Sequence, residues 1–236
     1  MFRSQLLSRQ PIRLIIFECD RVLLDSLESN NSIEIEELKT LNIDIDNQEY
    51  QKQFAGVPIE NTFNVIAREY RICIPAQFIR YVEEKIVNAR EQRIEVIPYV
   101  HEILKKINIC KAVASNSPFS RLSTLLTLKN LIHFFDGHIY SADMVKKPKP
   151  APDLYLYTAK KLLVPVEECL VIEDSATGIK AAHQAGMNVL GFINAKSPSS
   201  EIKQELLEAG ALQVFSTMKN LPEIINGLKG RSVFDV

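Results

Sequence analysis

From about residue 97 onward the chain alternates short apolar runs with amphipathic stretches, and that alternation admits few folds. Strands are expected at 110–114 (Cys-Lys-Ala-Val-Ala), near 138–141, at 169–172 (Cys-Leu-Val-Ile), at 188–193 and near 212–215. Helices are expected at 98–108, 118–128, 151–163, 175–186, 199–209 and 217–228. Strands separated by helices need crossover connections, which give a parallel sheet with helices on both faces. An earlier apolar run, 12–17, belongs to the same sheet.

Between that first strand and the rest lies a segment of different texture. Helical spacing of Ile35, Leu38 and Leu41, of Phe63, Ile66 and Tyr70, and of Phe78, Val82, Ile86 and Val87 predicts helices at 27–41, 47–54, 58–70 and 76–93. Pro58 and Pro75 fall near helix starts, where proline is tolerated. The expected fold class is therefore α/β: a Rossmann-like parallel-sheet core over 1–25 and 97–236, with an inserted all-helical cap over 26–96. Linkers near 24–28 and 93–98 join the two. Phe54, Gly56 and Val57 sit at a helix junction that suits either a face turned to a site or plain cap packing around a turn glycine.

Bulk properties exclude several classes. At 236 residues the chain is long enough for a sizeable core. A net charge of −1 gives no electrostatic case for nucleic acid or an acidic membrane. No apolar run approaches the ~20 residues of a membrane span. Cys19, Cys73, Cys110 and Cys169 are scattered without metal or redox spacing, which fits reduced thiols and a cytoplasmic protein. The four histidines also lack ligand spacing. The first thirteen residues have no acids and carry Arg3, Arg9 and Arg13, but without a long amphipathic stretch they read as a terminus rather than a transit peptide.

Four motifs carry chemistry, each at an expected strand end. Glu18 and Asp20 close the first strand; at i and i+2 they share a face, at the edge where open α/β sheets place ligands. They suit a hard cation, or a carboxylate nucleophile beside an acid/base. Ser115 and Asn116, in Val-Ala-Ser-Asn-Ser, offer donors for a phosphate oxygen; the same string suits a cap for helix 118–128. Lys149, in Lys-Pro-Lys-Pro-Ala-Pro-Asp over 147–153, is a cation in a proline-stiffened loop, preferred over Lys146 and Lys147, with Asp153 orienting the loop or capping the next helix. Glu173 and Asp174 end strand 169–172 and open a helix through small residues, Ser175-Ala176-Thr177-Gly178. They suit Mg²⁺ or ordinary acid placement at a helix start.

In this order and setting, the four motifs resemble those of the haloacid dehalogenase-like phosphotransferases, most closely the beta-phosphoglucomutase and phosphogluconate-phosphatase branch. The resemblance covers almost the whole chain after residue 11, with the cap matched by position and helix content only. The family writes Asp, any residue, Asp, Gly where this chain has Glu18, Cys19, Asp20 and Arg21. By resemblance Glu18 stands at the nucleophile position and Asp20 at the acid/base position, and Ser115, Asn116 and Lys149 hold phosphate. The resemblance implies Mg²⁺ bound by Glu18, the Asp20 carbonyl and Asp174, with Glu173 an outer partner. It implies hydrolysis of small phosphorylated metabolites, sugar phosphates above all, under a closing cap.

Two departures bear on activity. Glu18 adds a methylene, and misplacing a reacting atom by ~1 Å can cost on the order of 10²-fold in rate. Arg21 replaces a glycine and could occlude substrate, pair with Glu18 or point to solvent. The expectation is a Mg²⁺-binding phosphatase fold with impaired hydrolysis, a monomer or weak dimer without nucleic-acid or membrane partners. The alternative is an inactive pseudo-phosphatase with a binding or regulatory role. A dehalogenase is disfavoured by Asp20, and a dinucleotide-binding protein by the lack of Gly-x-Gly-x-x-Gly after the first strand.

Overall fold

The structure is a computed structural model that describes residues 11–25, 32–54, 57, 59–195 and 199–229. In chain order its elements are β1 (Leu14–Phe17), β2 (Leu24–Asp25), α1 (Ser32–Thr40), α2 (Asn47–Phe54), α3 (Ile59–Glu69), α4 (Ala76–Arg93), β3 (Glu95–Val96), α5 (Val100–Lys106), β4 (Cys110–Ser115), α6 (Phe119–Leu128), β5 (Ile139–Ser141), α7 (Asp153–Leu162), β6 (Cys169–Glu173), α8 (Ala176–Gln184), β7 (Asn188–Phe192), α9 (Ser200–Glu208), β8 (Gln213–Phe215) and α10 (Leu221–Lys229). Two compact units emerge: Met1–Asp25 with Glu95–Val236, and Ser26–Ile94.

The first unit is an α/β layer structure on a six-stranded sheet of order β5-β4-β1-β6-β7-β8, parallel throughout. β1 lies inside it, and Leu14, Ile15 and Ile16 are fully buried. An unbroken apolar run is what a strand covered on both faces requires. Register decides where the chemistry goes. Phe17 of β1 pairs with Val113 of β4 and with Ile172 of β6. Glu18 and Glu173, the next residues, and Ser115, one residue further along than its neighbours, therefore emerge together at the carboxyl edge. A cluster including Leu14, Ile16, Ala112, Leu154, Tyr155, Val171, Ile179 and Val189 packs α7 and α8 against the sheet.

The second unit holds four helices and no strand among its described residues. Its core joins Ile33, Ile35, Leu38, Ile43, Tyr50, Phe54, Phe63, Ile66, Val82 and Ile86. Buried Phe54 belongs to this packing, Val57 is exposed, and Gly56 lies outside the described residues. Tyr70 falls off the expected stripe, because α3 ends at Glu69 and Arg71 turns into the left-handed region. Residues 27–31 of the first expected helix, Pro58, and Arg3 and Arg9 also lie outside the described residues, whereas Arg13 pairs with Glu168 at 3.1 Å.

Two local features depart from expectation. At the positions read as linkers, β2 and β3 pair antiparallel, Leu24 with Val96 and Asp25 with Glu95. Two-residue strands are too short to leave a period in sequence. The last expected helix divides into a 3₁₀ turn at Met218–Asn220 and α10. Pro222 lacks the N–H that would bond the Met218 carbonyl. No helix among the described residues is long and apolar enough to cross a membrane.

Candidate active site

Beyond Phe17 the chain stays extended for one residue, with the Glu18 N–H donating to the Ile172 carbonyl at 3.0 Å, and then turns sharply. The N–H groups of Leu23 and Leu24 donate back to the Cys19 carbonyl at 3.0 and 3.1 Å. Arg21 occupies the turn with φ 61°. That region favours glycine and costs other residues ~1–2 kcal/mol, so the backbone still takes the shape a glycine would suit.

Glu18 is buried. Its Oε1 accepts from Ser115 Oγ and its Oε2 from Lys149 Nζ, both at 2.5 Å. Lys149 Nζ, its side chain 3% exposed, also donates to the Ala114 carbonyl at 2.8 Å and to Glu173 Oε1 at 2.7 Å, and stands 4.7 Å from the Tyr155 ring centre. Burial pushes the Glu18 carboxyl up from its ordinary range; Lys149's charge opposes this and Glu173's adds to it. Burial works to lower Lys149, but the charges of Glu173 and Glu18 hold it well above the ordinary lysine range. The lysine is thus a fixed cation between two buried acids. Lys146 and Lys147 are exposed on the approaching loop, and Asp153 begins α7, near the positive end of the helix dipole.

Glu173 has a different role from the outer metal partner expected of it. Its Oε1 accepts from Lys149 and from the Tyr155 hydroxyl at 3.0 Å. Its Oε2 accepts from the N–H groups of Asp174 and Ser175 at 2.9 and 3.1 Å and from Ser175 Oγ at 3.0 Å. Burial raises its pKa, but Lys149 and these donors prevail and hold it below the usual range. The carboxylate positions the lysine. Asn116 departs similarly: its Nδ2 donates to the Lys149 carbonyl and its Oδ1 accepts from the Lys149 N–H, both at 3.1 Å. Its amide clamps the lysine backbone to the end of β4 rather than facing an anion.

Gly178 makes this packing possible. A Cβ there would stand 1.7 Å from Glu173 Oε1. Gly178→Ala is expected to displace the carboxylate and lower stability by about 1–3 kcal/mol, the range of overpacked cores. Gly227→Ala, with nothing within 4 Å of the added carbon, is expected to be neutral or stabilising. Thermal denaturation of the two variants side by side checks this; equal melting temperatures would contradict it.

Asp20 is held by residues the sequence reading did not single out for it. Arg121 Nη1 and Nη2 donate to Oδ2 and Oδ1 at 2.8 and 3.1 Å, a bidentate pair. Ser117 Oγ donates to Oδ2 at 2.8 Å and accepts from Arg121 at 2.9 Å. The four-residue step from Ser117 to Arg121 was the available signal. Tyr155 had none, since it sits on the apolar face of α7 and reads as core.

Asp174, its side chain 8% exposed, is ion-paired with Arg21, Nε to Oδ2 at 2.5 Å. Burial and the charge of Glu173 push its pKa up to about 7, outweighing Arg21. Glu18, Asp20, Arg21, Ser115, Asn116, Lys149, Glu173 and Asp174 all line one open cavity of about 420 Å³. As these side chains stand they do not fit Mg²⁺, which needs free oxygen ligands in octahedral array. Both Glu18 oxygens are engaged by Ser115 and Lys149, Glu173 is saturated, and Arg21 covers Asp174. Among the described residues no three His, Cys, Asp or Glu side chains are grouped to share a cation.

Comparison with known proteins identifies the family. The haloacid dehalogenase-like hydrolase family profile matches residues 15–192. The 6-phosphogluconate phosphatase of Escherichia coli (strain K12) is 25% identical over 182 residues, 77% of this chain and 82% of that one. The phosphorylated carbohydrates phosphatase of Thermotoga maritima is 27% identical over 224 residues, 91% of this chain and 97% of that one. A crystal structure of a conserved haloacid dehalogenase-like protein from Agrobacterium tumefaciens superposes with a TM-score of 0.67 at 34% identity, covering 92% of this chain and 99% of that one. The chain belongs to the haloacid dehalogenase-like hydrolase family.

Proposed function

We propose that this protein is a slow phosphatase of small phosphorylated metabolites, sugar phosphates first among them. One observation carries the reading: a buried lysine and serine converge on Glu18 at the carboxyl edge of the sheet, in an open cavity that Asp20 also lines. The relatives named above act, by their names, on phosphogluconate and on phosphorylated carbohydrates.

In this reading a Glu18 oxygen attacks phosphorus and the ester C–O–P bond breaks on the phosphorus side. The products of that step are an acyl phosphate on Glu18 and the leaving alkoxide. Asp20 enters the step protonated, one oxygen turned out of its Arg121 pair. It gives that proton to the alkoxide and, now a carboxylate, takes one back from water, whose oxygen attacks the acyl phosphate, so that inorganic phosphate leaves and Glu18 and protonated Asp20 are regenerated. Ser115 and Lys149 turn their donors from Glu18 towards the phosphoryl oxygens, offsetting the charge there. Arg121 and Ser117 keep the Asp20 carboxylate in one orientation. Four free thiols, two of them buried, support a reducing, cytoplasmic setting as part of the proposal.

A second reading has its own observation. Both Glu18 oxygens are engaged by protein donors, which suits a phosphometabolite-binding protein without turnover. Phosphate release from 6-phosphogluconate and a panel of hexose phosphates separates the two. The hydrolase reading expects saturable release well above that of Asp20→Asn. Rates equal to Asp20→Asn would sink it, and saturable binding without release would leave the binding reading standing.

A further inference from the structure

We propose that Arg21 is the resident cation of the phosphate site, binding the anion's charge where the family resemblance implies a divalent ion. This rests on the phosphate-site reading above and adds how the site balances charge. Arg21 stands in the motif's glycine place with φ 61°, and the turn puts its side chain against Asp174, the acid that resemblance marks as direct metal ligand. The contact is made by Nε at 2.5 Å to a carboxylate whose side chain is 8% exposed, while the arginine itself remains 44% exposed and lines the same cavity as Ser115 and Lys149.

Charge and donor counting point the same way. Four carboxylates, Glu18, Asp20, Glu173 and Asp174, gather here. Lys149 bridges Glu18 and Glu173, Arg121 takes Asp20, and Arg21 takes Asp174. Arg21 is the cation set beside Asp174. A guanidinium has five N–H donors in a planar fork matched to carboxylate and phosphate. The ion pair with Asp174 is made at Nε, and the two terminal nitrogens face the cavity side with donors for an anion. Phosphate binding by this protein is therefore independent of divalent metal and depends on Arg21.

The test is calorimetric titration of inorganic phosphate into the full chain, in EDTA and again in millimolar MgCl₂, for native protein, Arg21→Gly and Arg21→Gln. Native protein is expected to bind phosphate with constants within about twofold in the two media. Both variants are expected to bind about tenfold or more weakly in EDTA, the loss of a charged hydrogen bond. Arg21→Gly suits the left-handed backbone, and Arg21→Gln keeps side-chain length without charge, so a folding defect in one leaves the other decisive. Native binding that collapses in EDTA overturns the role of Arg21 and leaves the phosphate site standing. Variants that bind in EDTA as native does also overturn it. Native protein that binds no phosphate in either medium overturns the functional reading and this inference together.

Discussion

Glu18→Asp combined with Arg21→Gly is expected to release phosphate from sugar phosphates on the order of 10²-fold faster than the native protein when Mg²⁺ is supplied. Two separate defects are removed. Glu18 is fixed by short bonds from Ser115 and Lys149, so its extra methylene cannot be absorbed by swinging the carboxylate aside. The carboxyl oxygens lie further along the cavity than an aspartate's would, and an attacking atom displaced by ~1 Å accounts for a factor of this size. Arg21→Gly frees the Asp174 carboxylate and relieves a backbone that favours glycine. Each single substitution is expected to recover less than the pair, because a correctly placed nucleophile still faces the guanidinium, and an exposed Asp174 still faces a misplaced nucleophile. Steady-state phosphate release by the four proteins checks this. A native rate equal to that of the double variant would mean that Glu18 is a competent nucleophile and that neither position limits turnover.

The parts of the site legible in sequence share one cause. Glu18, Ser115 and Glu173 each end an apolar run, and a parallel sheet in register brings the ends of β1, β4 and β6 to one edge. Lys149 was distinguishable from Lys146 and Lys147 by its place in the proline string, and it alone of the three is buried. What stayed illegible depends on direction rather than spacing. Tyr155 reads as a core aromatic until its hydroxyl is seen on Glu173. Asn116 and Glu173 carry groups fit for phosphate or metal, and their commitment to Lys149 is a matter of loop geometry. For Arg21 the sequence left occlusion, Glu18 and solvent open, and the turn at φ 61° pairs it instead with Asp174, which was not among them. The β2–β3 pair was hidden for want of length.

Removing the shared cation tests the centre of the site from the side of stability. Lys149→Met is expected to cost about 3–5 kcal/mol at pH 8, the penalty for breaking a buried ion pair by deleting one partner. That is a large fraction of the ~5–15 kcal/mol that holds a typical domain together. The side chain would retain much of its volume against Tyr155, so the loss reports charge rather than a cavity. Glu18 and Glu173 would be left buried, linked through no cation, with burial raising both carboxyls. An acid whose folded pKa lies above its unfolded value is favoured in the folded state while protonated, and that advantage is lost as pH rises through the folded pKa. The deficit of Lys149→Met relative to native protein should therefore shrink as pH falls from 8 towards 5. Adding Glu18→Gln removes one of the two orphaned charges while keeping an acceptor for the Ser115 hydroxyl, and should restore part of the stability at pH 8. Urea denaturation of native, single and double variants at the two pH values reads all three effects. A deficit that is small at pH 8 and unchanged at pH 5 would mean that the two carboxylates do not depend on Lys149, contrary to the 2.5 and 2.7 Å contacts that join them.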